Sequence, residues 1–391
     1  MHVPDPATDA LNRIPLADVR DLLKIGEPLP FRVLDALERL LLNEGQMLAD
    51  EAQFAGLIER GAWAERHLVE AERAARAAAR GAERAPRALS LFDRWERSIW
   101  QFDKLSRALV RHEAKGVGVP ALFKALCELV DVDVDVALFL CVRQDDRRFA
   151  LYPLKHAMHC AVLALLTGRY LGWTQDRLAS LGCSALTMNL AILELQATMA
   201  EQDTPPSARQ LKEIRAHPQA SIKLLQDAGI DDPSWLATIA EHHEQPGGGG
   251  YPRGLTEVCE SAQLLRATDV LMAKISPRAQ RPAMAPQTAV RQLFQQRPGD
   301  PLATALIRTL GVYPPGSLVK LRSGEVGVAI RRPVAGTHPL VATLSDTNGR
   351  PSAQTHRRDS AQPEFNVQGA LVDVPGFARV LPERVYGIVG A

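Results

Sequence analysis

From residue 118 to residue 312, apolar residues recur at helical spacing between short polar breaks, and strand-like alternation is scarce. About half of the chain is therefore expected to form an all-α domain. The pattern predicts helices over roughly 154–171, 176–195, 207–227, 233–243 and 260–275. Pro218 directly follows His217 inside the third of these, which predicts a kink there or a restart with proline in the first turn.

The flanking regions read differently. After Leu310 the period drops to two: 317–321 and 326–330 flank Ser323-Gly324-Glu325 as a hairpin. A second set follows, with 339–344, the turn Asn348-Gly349 and 370–374, interrupted by a polar stretch over 350–362 that is expected to be mobile. Near the N-terminus, apolar runs at 31–34 and 40–42 with Asn43-Glu44-Gly45 suggest strands and a turn, and Asp50 is placed to cap a short helix ending near Gly61. Between 62 and 116 the chain is rich in Ala, Arg and Glu, a helical composition expected to break at Gly81 and Pro86. Within it Trp95, Ile99, Phe102 and Leu109 form one helical stripe, which either packs on the main domain or pairs two chains as a homodimer. The expected organisation is a mainly α protein: a small α+β module at 1–62, a helical connector at 63–116, the all-α domain at 117–312 and a β-rich module at 313–391.

With 46 basic and 45 acidic residues the net charge is +1, too little field to hold a polyanion without a specific pocket, so nucleic acid is not the expected partner. The five cysteines are widely spaced and contain no C-x-x-C pair, which reads as reduced core thiols. Residues 1–9 carry Pro and Asp instead of a basic stretch followed by an apolar one, which points away from a secretory signal and toward the cytoplasm. The most apolar runs, 161–166 and 134–142, fall short of the ~20 residues needed to span a bilayer. No membrane span is expected.

The chemistry is concentrated in a few phrases: Tyr152-x-x-x-His156, His217-Pro218, His242-His243-Glu244 followed by Gly247 to Gly250 and Tyr251-Pro252, and Ala267-Thr268-Asp269. Imidazole suits first-row metals, so His217, His242 and His243 are candidates to converge on one cation; the bland alternative is a hydrogen-bonded polar core. Four consecutive glycines permit positive φ and close approach of amides to an anion, a phosphate-facing nest, or else simply a loosened loop.

In order and spacing these phrases, spread over residues 152–284, resemble the HD-GYP family of metal-dependent phosphohydrolases. The resemblance implies an all-α core whose matching positions hold two or three metal ions, usually iron or manganese, and hydrolyse cyclic di-GMP. It assigns His156, His217, His242, His243 and Asp269 to metal binding, with Tyr152 where some relatives carry a glutamate. It also places the family's His-Asp dyad at Thr187 and Met188, and a phosphate-binding lysine at Ala191. A thioether is a poor ligand for a hard metal, so the two-metal centre is expected to be lost. Arg281-Pro282 retains part of a phrase that often closes the domain.

These substitutions imply a degenerate signalling protein, catalytically impaired, that acts as a cyclic di-GMP receptor or a protein-interaction regulator. The expected cofactor is one divalent ion (Mn, Fe or Zn) or none. The loop of Glu244, Gly248, Gly250, Tyr251 and Pro252 is the expected contact for the ligand or for a protein partner such as a diguanylate cyclase. The alternative is an active cyclic di-GMP phosphodiesterase with a rearranged metal site.

Overall fold

The computed structural model describes residues 12–84, 89–144, 149–333, 336–372, 377 and 380–387, and the chain divides into two compact units, residues 1–88 and 89–391. The expectations at residues 1–9, Pro86 and Val374 lie outside the described residues.

In the first unit, strands β1 (Arg13–Pro15), β2 (Val33–Leu34), β3 (Leu40–Leu42) and β4 (Trp63–Glu65) form an antiparallel sheet in the order β1-β4-β2-β3. Helices α1 (Glu51–Glu59) and α2 (Arg66–Arg84) accompany it. Asp50 caps α1 as expected, its carboxylate accepting from the Gln53 amide at 2.7 Å. The β2–β3 turn, however, falls at 35–39 and not at Asn43-Glu44-Gly45. Asp35 Oδ1 accepts from the amides of Leu37 and Arg39, both at 2.9 Å, and makes this turn; Asn43-Glu44-Gly45 forms a second one after β3, with Gly45 at φ +81° and the Gln46 amide donating to Asn43 O at 3.2 Å. Helix α2 also runs through Gly81 without breaking, since one glycine costs only ~1 kcal/mol against a long run of strong helix formers.

The second unit is built around α6 (Tyr152–Tyr170), apolar on nearly every face. Packed on or near it are α3 (Leu91–Val110), α4 (Gly118–Val132), α5 (Val134–Val142), α7 (Gln175–Thr187), α8 (Leu193–Glu201), α9 (Ala208–Asp227), α10 (Pro233–Glu241), α11 (Glu260–Ile275), α12 (Pro286–Gln296) and α13 (Pro301–Leu310). The stripe Trp95, Ile99, Phe102 and Leu109 is buried in this same core, so it serves packing within the unit. The helix expected over 176–195 stops at Thr187. Asn189 leaves the helical region (φ −104°, ψ 15°), a 3-10 turn spans Leu190–Ile192, and α8 resumes. Helix α9 does not restart at Pro218; it carries the proline in its interior behind a Ser207–Gln210 capping box.

The C-terminal strands β5 (Leu318–Leu321), β6 (Val326–Arg331), β7 (Leu340–Thr343), β8 (Arg357–Asp359) and β9 (Val367–Leu371) form an antiparallel sheet ordered β8-β7-β6-β5-β9. The β5–β6 hairpin matches expectation, with Gly324 at φ +93°. The stretch 350–362 does not: it contains β8, whose Arg357–Asp359 pair with β7, because backbone pairing with an otherwise bare edge outweighs polar composition. The sheet docks on α5. Phe139 is buried among Leu318, Val328 and Ile330, and Arg331 donates to both oxygens of Asp133 at 2.6 Å. At Gly316 (φ +96°) a Cβ would lie 2.9 Å from the Arg143 amide, so only glycine allows this approach.

By length and composition 149–170 and 175–201 are apolar enough to cross a bilayer, contrary to the expectation from shorter runs. Of the apolar 18-residue window in each, 83% and 67% are buried inside the protein, which uses them as core. All five cysteines are free, but Cys259 is exposed and Cys127 half-buried, so only Cys141, Cys160 and Cys183 are core thiols.

Candidate metal and ligand site

Helix α9 supplies His217, the end of α10 supplies His242 and His243, and the three present ligand nitrogens within 4.8 Å of one another. How the imidazoles are held follows from the backbone. Pro218 has no N–H, so the carbonyl four residues earlier, Ile214 O, lacks its helical donor. His217 Nδ1–H donates to that oxygen at 2.5 Å. His242 Nδ1–H likewise donates to Ile239 O at 2.7 Å. With both Nδ1 atoms protonated, each Nε2 keeps its lone pair, and the two Nε2 atoms face each other at 3.1 Å.

Burial keeps these rings neutral. It pushes His217 down to about 3, assisted by the neighbouring His242, and His243 down to about 2, again with His242 contributing; His242 is lowered by the same burial. At neutral pH no proton is available to bridge the two facing lone pairs. A cation would satisfy them, and the donor set fits a first-row divalent ion.

A second group lies on α6 and α11. His156 Nε2–H donates to Asp269 Oδ1 at 2.7 Å, and Cys160 Sγ lies 3.6 Å from the same nitrogen. Burial opposes ionisation of Asp269, but the His156 hydrogen bond holds its carboxyl well below the usual range. The Tyr152 ring stacks on His156 with centroids 5.4 Å apart, and burial raises its hydroxyl to about 12.

Both groups open onto one cavity of about 170 Å³, lined among others by Asn189, Gln196, His243, Asp269 and Arg278. Arg278 lies 4.6 Å over the Tyr152 ring and donates to its hydroxyl, while its buried Nε and the buried Oε1 of Gln196 have no partner. Beyond Arg278 a larger cavity of about 360 Å³ is shared with the C-terminal sheet, through Leu318 and Leu371 among others.

The loop after His243 is held from within. Glu244 is fully buried and its carboxylate accepts from the amides of Arg253 (2.7 Å) and Leu255 (3.1 Å), so it acts as a clamp on the loop and does not face a ligand. Gly247 and Gly248 both sit at φ +89°, but their amides donate to Thr256 O and Gln245 O. Internal acceptors thus take two of the four amides that the expected phosphate-facing nest would use. Gly250 is required for another reason: a Cβ there would lie 2.3 Å from Glu244 Cα. Tyr251 stacks on His243 with centroids 4.5 Å apart, and Pro252, joined to it by a cis peptide, is exposed.

Thr187 and Met188 are buried in the core. Thr187 Oγ1 donates to Cys183 O at 2.7 Å and accepts from Trp235 Nε1 at 2.9 Å. The Ala191 amide donates to Ser221 Oγ at 3.1 Å. Arg281 donates to Ala273 O, a structural bond. The sequence reading missed Cys160 and Arg278. Cys160 was legible as the next turn after Tyr152-x-x-x-His156, and Arg278 as a cation three residues before Arg281.

A family model described as HD domain matches residues 145–300. A cyclic di-GMP phosphodiesterase from Pseudomonas aeruginosa, PA4108, is 24% identical over 185 residues, 46% of this chain and 45% of that protein. Another from Borreliella burgdorferi, PdeB, is 26% identical over 107 residues, 27% of this chain and 28% of that protein. The matches thus span less than half the length of either relative. Among solved structures, Bd1817, an HDG"Y"P protein from Bdellovibrio bacteriovorus, superposes with a TM-score of 0.45 at 15% identity, covering 76% of this chain and 98% of that one.

Proposed function

We propose, from the match of residues 145–300 to the HD domain model, that the protein is a catalytically impaired receptor for cyclic di-GMP that carries one divalent ion on His217, His242 and His243. The observation that carries this reading is the pair of unprotonated Nε2 atoms facing each other at 3.1 Å with a third imidazole beside them. A bound ion there supplies a Lewis acid for a phosphoryl oxygen. The chain itself contributes Arg278 at the cavity wall, a fork of donors with one buried nitrogen still unpaired, matched to a phosphodiester.

Impairment follows from the residues at 187 and 188. A bridging carboxylate is the group that lets two cations share one water, and here the positions hold a hydroxyl tied to Trp235 and a neutral thioether. The cavity beside the histidines, about 170 Å³, suits one phosphate with its sugar edge and not a whole dinucleotide. The larger cavity past Arg278 receives a base and brings the C-terminal sheet into contact with the ligand. That contact is the route by which binding reaches a flanking module. The turn of half-buried Tyr251 and exposed Pro252 is the docking point for a protein partner such as a diguanylate cyclase, in the cytoplasm.

The second reading, an active phosphodiesterase with a rearranged metal site, is favoured by one observation: Asp269 opens onto the same cavity as His217 and His243. Calorimetric titration of the manganese-loaded full chain with cyclic di-GMP, followed by chromatography of the mixture, separates the readings. Saturable binding near one ligand per chain without linear pGpG supports the receptor. Metal-dependent turnover abolished by His242→Ala supports the enzyme, and no binding heat at all removes both.

A further inference from the structure

We propose that Cys160 completes a second metal position with His156 and Asp269, and that its thiolate makes this position select zinc or iron(II) over manganese or magnesium. The three residues present an Sγ, an Nε2 and an Oδ1 within 4.8 Å of one another, in a group separate from the three histidines. Ligands at ~2.3 Å for sulfur and ~2.0 Å for nitrogen around a tetrahedral ion stand about 3.6 Å apart. Cys160 Sγ and His156 Nε2 are already 3.6 Å apart. The Nε2 to Oδ1 separation, 2.7 Å, needs to open by only about half an ångström to reach the ~3.3 Å of a nitrogen–oxygen edge. The adjoining cavity leaves a fourth position for water or a phosphate oxygen.

Charge balance supports the same assignment. His156 and Cys160 are almost completely buried, and an unpaired dication in such a place is costly. A carboxylate and a thiolate neutralise it, which the three neutral imidazoles of the other group do not. Binding releases the thiol proton to solvent, so one proton leaves per ion bound at this position. Thiolate is a soft ligand, the basis of the preference for zinc or iron(II). The assignment does not depend on cyclic di-GMP binding or on occupancy of the three-histidine group.

The test is cobalt(II) titration of the chelator-treated full chain, read by absorption. Wild type is expected to show a near-ultraviolet sulfur-to-cobalt charge-transfer band in addition to the visible bands of nitrogen-ligated cobalt. Cys160→Ser and Asp269→Asn should each lose or strongly weaken the ultraviolet band, the second with the thiol still in place; His242→Ala should keep it while losing only the share of visible absorption that the three-histidine group contributes. Zinc affinity of the Cys160→Ser protein should fall about tenfold or more while manganese affinity changes little. Cobalt binding by wild type without a charge-transfer band overturns the proposal, as does a band that survives Cys160→Ser. Loss of only the visible bands in His242→Ala bears on the three-histidine reading and leaves this one standing.

Discussion

His217 Nδ1 donates at 2.5 Å to the carbonyl of Ile214, the helical acceptor that Pro218 leaves without a donor. One residue's missing N–H thus sets the tautomer of its neighbour, and the tautomer aims an Nε2 lone pair at His242. A proline inside a helix usually costs stability; here the freed carbonyl is satisfied and the imidazole is oriented.

Pro218→Ala restores a backbone N–H that competes for Ile214 O. The helix is expected to hold or to gain stability, by up to ~3 kcal/mol, while zinc affinity falls about 10-fold to 100-fold through loss of the orienting bond. Competition titration against a chromophoric chelator, alongside denaturant unfolding of the metal-free protein, separates the two effects. Unchanged affinity would mean the proline has no part in orienting the ring.

Metal binding to the folded state should raise thermal stability. At a hundredfold excess over Kd the gain is ~2.7 kcal/mol, or roughly 5–10 °C in Tm. Scanning calorimetry with zinc and then with a chelator measures it, and His242→Ala should lose the share of the shift that the three-histidine group contributes.

Arg278→Ala is expected to weaken cyclic di-GMP binding by about tenfold or more, because it removes the charged donor at the cavity wall. Metal content should not change. Equal affinity in the two proteins would place the phosphates elsewhere.

Thr187→Ala leaves the buried Trp235 indole N–H without its acceptor, at a cost of ~1–3 kcal/mol. Thr187→Ser keeps the hydroxyl and should recover most of that loss. Chemical denaturation of the three proteins reads the difference, and equal midpoints for Ala and wild type would show that the hydroxyl contributes nothing.

His159 makes the metal-free protein sensitive to acid. It is buried beside Trp95 with Nδ1 unpartnered, and burial pushes it down to about 3. An exposed imidazole titrates near 6.5, so between these values the unfolded chain binds a proton that the folded chain refuses. Its contribution is fully present above pH ~6.5 and is lost as pH falls toward 3, by up to ~1.4 kcal/mol per unit. His159→Phe should flatten that part of the stability profile and leave stability at pH 7 unchanged or higher. An identical acid limb in both proteins would assign the sensitivity to other groups.

Much of the fold was legible because its signals are local. Apolar spacing placed the helix Glu260–Ile275 to the residue, Asp50 and Ser207 announced helix starts, and Ser323-Gly324-Glu325 announced a hairpin. Misreadings came where a local preference lost to a partner far along the chain. The stretch 350–362 looked like loop until β7 offered it an edge, and the glycine run looked like a nest of four amides until Thr256 and Gln245 took two of them.

The residue types of the site, and their order along the chain, were in the sequence: His156, His217, His242, His243 and Asp269 were named from it. The convergence of His217, His242 and His243 was expected too, but the second group, built on His156 and Asp269 with Cys160, was not. Only the folded chain sets His217 against His242 across 25 positions, brings Cys160 to His156 and Asp269, and turns Arg278 onto Tyr152. Sequence spacing fixes which face of a helix a side chain occupies, but which faces meet depends on packing the helices around the buried α6. The atoms that share one cavity, and so the chemistry available there, are decided by that packing.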